Sequence, residues 1–212
     1  FPFDTAPGEV RIMGVLQRIA LAWGLAALVV VHFGERSLLP VSIAVLAGHW
    51  ALSTLAGGAD PWSIEGSLAV RIDLAVIGRD HMWKGFGTPF EPEGVLSTFT
   101  AAVNVMVGYM AGRPAASGSG SARLAGTGLL AGASLLLGGW AASLVVPLSK
   151  PLWTASYVIL TSGAALATMS LLVWIVEIRG WRRWASFAVV YGVNPLAAFV
   201  ISSLWAQSLL RL

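Results

Sequence analysis

Six apolar runs, each 17 to 24 residues long, take up more than half of this 212-residue chain: Val15–Phe33, Leu38–Leu55, Val95–Ala111, Leu124–Val146, Trp153–Val176 and Trp184–Leu204. A helix rising 1.5 Å per residue needs roughly 20 residues to cross a hydrocarbon core of ~30 Å. Each run is therefore sized to span a bilayer. Charged residues make up only 11% of the chain and its mean hydropathy is +0.78, where a soluble domain carries about 25% charge. Ten tryptophans, among them Trp50, Trp62, Trp140, Trp153, Trp181 and Trp184, fall mostly near the ends of the runs, as interfacial aromatics do. The expected fold class is all-α: a polytopic integral membrane protein with about six transmembrane helices and the lipid bilayer as its first partner.

Polar chemistry is confined to one long connection. Gly57 to Val95 is a 39-residue loop holding nine of the 23 charged residues, with Asp73, Asp80, His81, Trp83, Glu91 and Glu93 as groups that an enzyme or a sugar-binding site would use. Within it, Leu68, Ile72 and Val76 recur every four residues, which predicts a short amphipathic helix over 68–77 lying on the membrane surface. Gly112–Arg123 reads as a flexible Gly/Ser connector.

Charge sets the expected orientation. The face carrying the long loop is called X and the opposite face Y. The Y connections hold Arg36, Arg113, Arg123, Arg179, Arg182 and Arg183 against Glu35 and Glu177. Face X holds Arg11, Arg18, Arg71, Arg79, Lys84, Lys150 and Arg211 against the remaining acids, Asp4 and Glu9 included. Three X bases lie in the long loop, where they count less, so Y is expected in the cytoplasm and loop 57–94 outside it. With no cysteine, thiolate catalysis and thiolate metal sites are excluded. No metal is expected. A net charge of +3, thinly scattered, gives no reason to expect nucleic acid. A homo-oligomer stays open.

Several polar residues inside or beside the runs each admit a structural and a functional reading. Arg11 and Arg18, seven apart, share a helix face; Arg18 either snorkels to the interface or turns inward to hold a carboxylate such as Asp80 or Glu93. His49 and Asn104 fit interhelical hydrogen bonding. Asn194-Pro195 predicts a kink near mid-membrane, with Asn194 as polar glue or as a ligand-lining group. Asp80-His81 is a helix-stop pair or an acid–base pair. Lys150 and Trp153 are interfacial anchors or a sugar site built from charge and stacking. Arg113, Arg179 and Arg182 are positive-inside residues or phosphate ligands.

The order of short motifs adds a resemblance. Arg11–Ile19 reads RIMGVLQRI; Ile72-Asp73 is followed by Gly78–Trp83, GRDHMW; Glu91–Thr98 reads EPEGVLST; Gly108–Arg113 ends in AGR; Pro147–Val158 reads PLSKPLWTASYV; Glu177–Gly180 and Gly192–Asn194 close the series. Together these resemble, in order, motifs of the heparan-α-glucosaminide N-acetyltransferase family. The likeness spans about Arg11 to Val200. It departs at Arg71 and Leu74, where the family has Tyr and Arg, and at Glu91 and Ser149, where it has Asp and Asn.

The resemblance implies acetyl transfer from cytosolic acetyl-CoA, as co-substrate, to a sugar or glycan acceptor on the far side of a membrane, here a bacterial inner membrane. It implies Asp80 and His81 in catalysis, Arg18, Glu93, Lys150, Trp153, Ser156 and Asn194 in acceptor binding, and Arg113, Arg179 and Arg182 on the CoA phosphates. The family's proposed active-site histidine precedes the first matched motif, and its last helices follow the final one. Residues 1–212 are thus expected to be a partial transmembrane acyltransferase-like domain. A transporter or flippase of a sugar or lipid-linked sugar is the alternative. The six proposed cavity residues Asp80, His81, Glu93, Lys150, Trp153 and Asn194 are expected to converge on one cavity opening to face X.

Overall fold

The computed structural model describes residues 10–85 and 87–209, so Asp4, Glu9 and Arg211 lie outside the described residues. In chain order the helices are α1 (Val15–Phe33), α2 (Leu38–Ala56), α3 (Leu68–Val76), α4 (Val95–Ala116), α5 (Ser121–Ala142), α6 (Ala155–Val173), α7 (Ala185–Val193) and α8 (Pro195–Leu209), with a π-helical turn, Trp174–Ile178, closing α6. Five spans are long and apolar enough to cross a membrane, and α7 with α8 makes a sixth if the bent pair is counted as one. The chain is a polytopic helical membrane protein.

Packing explains the small residues. α5 and α6 lie against each other along their length, and a Cβ on Gly132, Gly139 or Gly163 would run into the backbone of the facing helix. Small residues at such crossings let helix backbones approach closely where lipid supplies no hydrophobic drive. A second core joins Ala22 and Ala26 of α1, Leu38 of α2 and Ala101, Ala102 and Met106 of α4.

Four boundaries differ from the sequence expectation, each for a local reason. The Gly/Ser connector is shorter than its composition indicates: α4 continues to Ala116 and α5 begins at Ser121. Pro114 sits in the last turn of α4, where losing one helix bond is followed at once by the helix end. The fourth run ends early, at Ala142, and passes through turns at Leu144 and Val145 before Pro147, which disfavours helix in the residue before it. The fifth helix starts at Ala155 rather than Trp153, because Trp153 has a left-handed backbone, φ 51°. The sixth run is broken rather than kinked: α7 and α8 meet at 91°, with Asn194 at the break and proline opening α8.

The amphipathic helix in the loop is present as α3. Ser67 caps it by accepting the Val70 amide at 3.4 Å. Leu68 and Ile72 are half-buried and Val76 is exposed, while the adjoining stripe Ala69, Asp73 and Ile77 is buried. Ala69 and Val70 pack with Phe90 and Leu152, docking the loop on the X end of the bundle.

Candidate functional site

The X end is organised around a buried carboxylate. The Glu91 side chain is fully buried, where an unpaired charge is prohibitively unfavourable. Arg11 meets it with two donors, Nε to Oε2 at 2.9 Å and Nη2 to Oε1. Two backbone amides complete the shell: Trp83 to Oε2 at 3.3 Å and Glu93 to Oε1 at 3.2 Å. The Arg11 Nη2 group also reaches Glu93 Oε2 at 2.5 Å. Burial works against the Arg11 charge, but the bonds to and charges of Glu91 and Glu93 outweigh it and raise its pKa above the ordinary guanidinium value.

Arg18 extends this network inward. It is buried, 8% exposed, so it does not snorkel. Its Nη1 donates to the Pro92 carbonyl at 3.2 Å, its Nη2 lies 3.8 Å from Glu93 Oε1, and its guanidinium stacks 4.0 Å over the Trp153 ring. Such a cation–π contact is worth about 0.5–2 kcal/mol, more as water is excluded. Trp153 in turn donates its indole N–H to Asn104 Oδ1 at 3.0 Å, and Asn104 Nδ2 donates to Ser162 Oγ at 2.8 Å. Asn104 is thus the polar glue between α4 and α6 that its position implied.

These groups wall a cavity of about 370 Å³ opening on face X, formed by Arg11, Val15 and Arg18, Trp83, Pro92 and Glu93, and Lys150, Pro151 and Trp153. It holds three cations, one carboxylate and two indoles. The Trp faces can stack on a sugar ring, and the charged groups can bind its polar substituents.

Of the residues assigned a site role from the sequence, Arg18, Glu93, Lys150 and Trp153 meet in this cavity, joined by Trp83 and Arg11, and Asp80, His81, Ser156 and Asn194 do not line it. Asp80 is exposed. His81 lies behind the wall, its Nδ1 2.8 Å from the Val10 carbonyl. A carbonyl only accepts, so Nδ1 is the donor in that contact. Ser156 is fully buried and donates to the Pro147 carbonyl at 3.2 Å, shaping the 147–154 turn rather than the cavity. Asn194 is exposed at the α7–α8 break and lines no part of the cavity. It is already out of reach before the break, because α7, which leads into it, has nearly every side chain exposed, as do the described side chains of α8. His49 is buried, and its Nδ1 lacks the hydrogen-bond partner expected of it.

The sequence named Glu91 and Asp73 among its polar candidates but gave neither a partner, and it placed Arg11 only by its spacing from Arg18, since nothing local pairs residues 80 positions apart. Asp73 is fully buried: its Oδ1 accepts the Val95 amide at 2.8 Å, capping α4 from another element, while its Oδ2 has no partner. A Cβ on Gly94 would overlap this carboxylate, so glycine before Val95 is a steric requirement. Burial raises the Asp73 pKa to about 6, with the Val95 amide opposing and the Glu91 charge adding to the shift.

Two further hollows lie beyond Trp153. An apolar groove of about 470 Å³ runs between α4, α5 and α6 from Asn104 to the Y end, past Gly108, Gly128, Ala131 and Ala165. It adjoins a cavity of about 1220 Å³ on face Y, rimmed by Arg36, Arg113 and Arg123. There Arg113 pairs with Glu35 at 2.6 Å and Tyr109 donates to the same carboxylate at 2.6 Å. Arg179 and Arg182 lie elsewhere: one stacks 4.9 Å from the Trp174 ring, the other lies 3.5 Å from Glu177.

The fold and site define a polytopic membrane protein with a polar cavity at one end of its bundle and a basic one at the other. No family model matches the chain, and no curated protein matches it.

Proposed function

We propose that this chain is part of a membrane-bound acyltransferase that passes an acetyl group from acetyl-CoA on the cytoplasmic face to a sugar acceptor on the extracytoplasmic face of a bacterial inner membrane. One observation carries this reading. All nine residues lining the X cavity come from four of the motifs that resemble the N-acetyltransferase family, Arg11–Ile19, Gly78–Trp83, Glu91–Thr98 and Pro147–Val158. That motifs spread over about 140 residues of sequence meet around one hollow supports this reading.

The residues present fit acetyl-CoA on face Y. Arg36, Arg113 and Arg123 face a cavity with Glu35 as the opposing charge, and clustered guanidiniums hold phosphates well. Arg36 and Arg123 take the part expected of Arg179 and Arg182. Acetyl-CoA supplies an activated acyl group as a thioester. On face X, Trp83 and Trp153 offer stacking faces, Lys150 offers a donor to acceptor oxygens, and Glu93, held by Arg11 and Arg18, orients an amine or hydroxyl. The resemblance puts the base on a histidine ahead of Arg11, so these residues bind and orient the acceptor, and His81 supports the wall behind them.

The test uses full-length protein in proteoliposomes, with acetyl-CoA on face Y and glucosamine on face X. Acetylated product is expected only when both are supplied. Trp83→Ala and Lys150→Met should each raise the acceptor KM about tenfold, the size of a lost stacking or charged contact, and leave the acetyl-CoA KM unchanged. Impermeant thiol labelling of intact cells at Ser63→Cys but not Ser186→Cys is expected for this orientation; the reverse pattern overturns it. Movement of glucosamine without acetylated product would replace transfer with transport, a reading the row of hollows through the bundle also supports.

A further inference from the structure

Trp153 combines its place in the acceptor site with two observations that the site does not account for, its backbone and its hydrogen bond to Asn104. It is the one described non-glycine residue with positive φ, 51°, a conformation that costs a bulky side chain about 1–3 kcal/mol and persists only where the surroundings impose it. Its ring lines the X cavity. Its N–H is held by Asn104, which lines the next hollow, the apolar groove between α4, α5 and α6. The groove and the Y cavity share Gly112, Pro114, Leu124 and Thr127 as walls. The hollows thus run in series from face X to face Y, and the indole stands between the first and the second.

We infer that Trp153 is a gate, closed in this structure, between the X cavity and a route that continues through the groove to face Y. The closed position is latched from both sides of the ring. Arg18 lies over its face at 4.0 Å, Asn104 holds its N–H at 3.0 Å, and Tyr157 meets it edge-on at 5.1 Å. The strained backbone supplies the opposing tendency: Trp153 gains by leaving the left-handed region once either latch is released. Arg18 is shared between Trp153 and Glu93, so a ligand that draws Arg18 or Glu93 toward face X loosens the ring. Loading of the outer cavity and opening of the route are thereby coupled, whether the protein transfers a group or moves a whole molecule.

Residues 1–212 contain no cysteine, so a thiol introduced among them is a new reporter there, and any cysteine elsewhere in the full-length protein is first replaced by serine. Thr161, on the groove wall beside Asn104, is replaced by cysteine in the full-length protein. Its labelling by a membrane-impermeant thiosulfonate is then timed from each face separately. With Trp153 intact, labelling from face X should be slow; adding Trp153→Ala should raise that rate at least tenfold and leave the Y-face rate unchanged. Asn104→Leu keeps the indole and removes its acceptor, and should raise the X-face rate by a smaller factor. An unchanged X-face rate in Trp153→Ala, with the Y-face rate retained as proof of folding, overturns the gate. If Trp153→Ala does not fold, an unchanged X-face rate in Asn104→Leu does so.

Discussion

Replacing Arg11 with methionine should destabilise the protein by about 3–5 kcal/mol, the range for breaking a buried ion pair from one side. The Glu91 side chain is fully buried and takes two of its four protein donors from Arg11. Without the guanidinium, the carboxylate is left with two backbone amides. Methionine preserves most of the stem volume, so the loss is electrostatic rather than steric. The readout is the detergent-solubilised protein's unfolding midpoint. The double variant Arg11→Met with Glu91→Gln should recover more than half of the loss, since the stranded charge is gone. A single variant that melts with the wild type, or a double variant as unstable as the single one, would show that this network does not hold the loop to the bundle.

The spans were legible because bilayer thickness sets their length and hydropathy marks it directly. α1 occupies the run read from sequence, Val15–Phe33, and the loop helix appears where its four-residue stripe put it. Helix ends were less legible, because they depend on single residues that hydropathy averages away: Pro147 stopping the fourth run, Trp153 taking a positive φ ahead of the fifth.

The site was legible in part. Arg18 and Glu93 were readable because a charge at the edge of a span marks itself as needing a partner, and Lys150 and Trp153 because they lie together in one motif beside a span. Which partner it finds is a tertiary fact. No sequence rule says that Arg11 closes on Glu91 rather than on Asp80, or that Asn104 rather than Asn194 takes the cavity-side hydrogen bond. Asn194 drew attention through the proline beside it. Yet a proline break brings a residue to a cavity only if the helix leading to it packs there, and α7 is exposed along nearly its whole length before the break is reached.

Asp73 should give the protein a pH dependence that Asp73→Asn removes. The carboxyl is fully buried, has one hydrogen bond, from the Val95 amide, and leaves Oδ2 without a partner. Burial raises its pKa from an ordinary 3.8 to about 6, so the folded state holds the proton more tightly than the unfolded one. Between those two values the folded protein binds more protons, and stability must fall as pH rises. The contribution is fully present below about pH 4 and is lost by about pH 6 to 7. A shift of about two units corresponds to roughly 3 kcal/mol in order of magnitude. Asparagine keeps an acceptor for the Val95 amide and carries no charge at any pH, so α4 stays capped and the slope disappears. Unfolding midpoints measured from pH 4 to 8 should therefore converge for the two proteins at the acid end and separate toward neutral pH, with the variant the more stable there. Parallel curves would mean that Asp73 ionises in the folded protein as easily as in water. The carboxylate beneath Gly94 would then be solvated, and the joint between α3 and α4 looser than the packing around Gly94 requires.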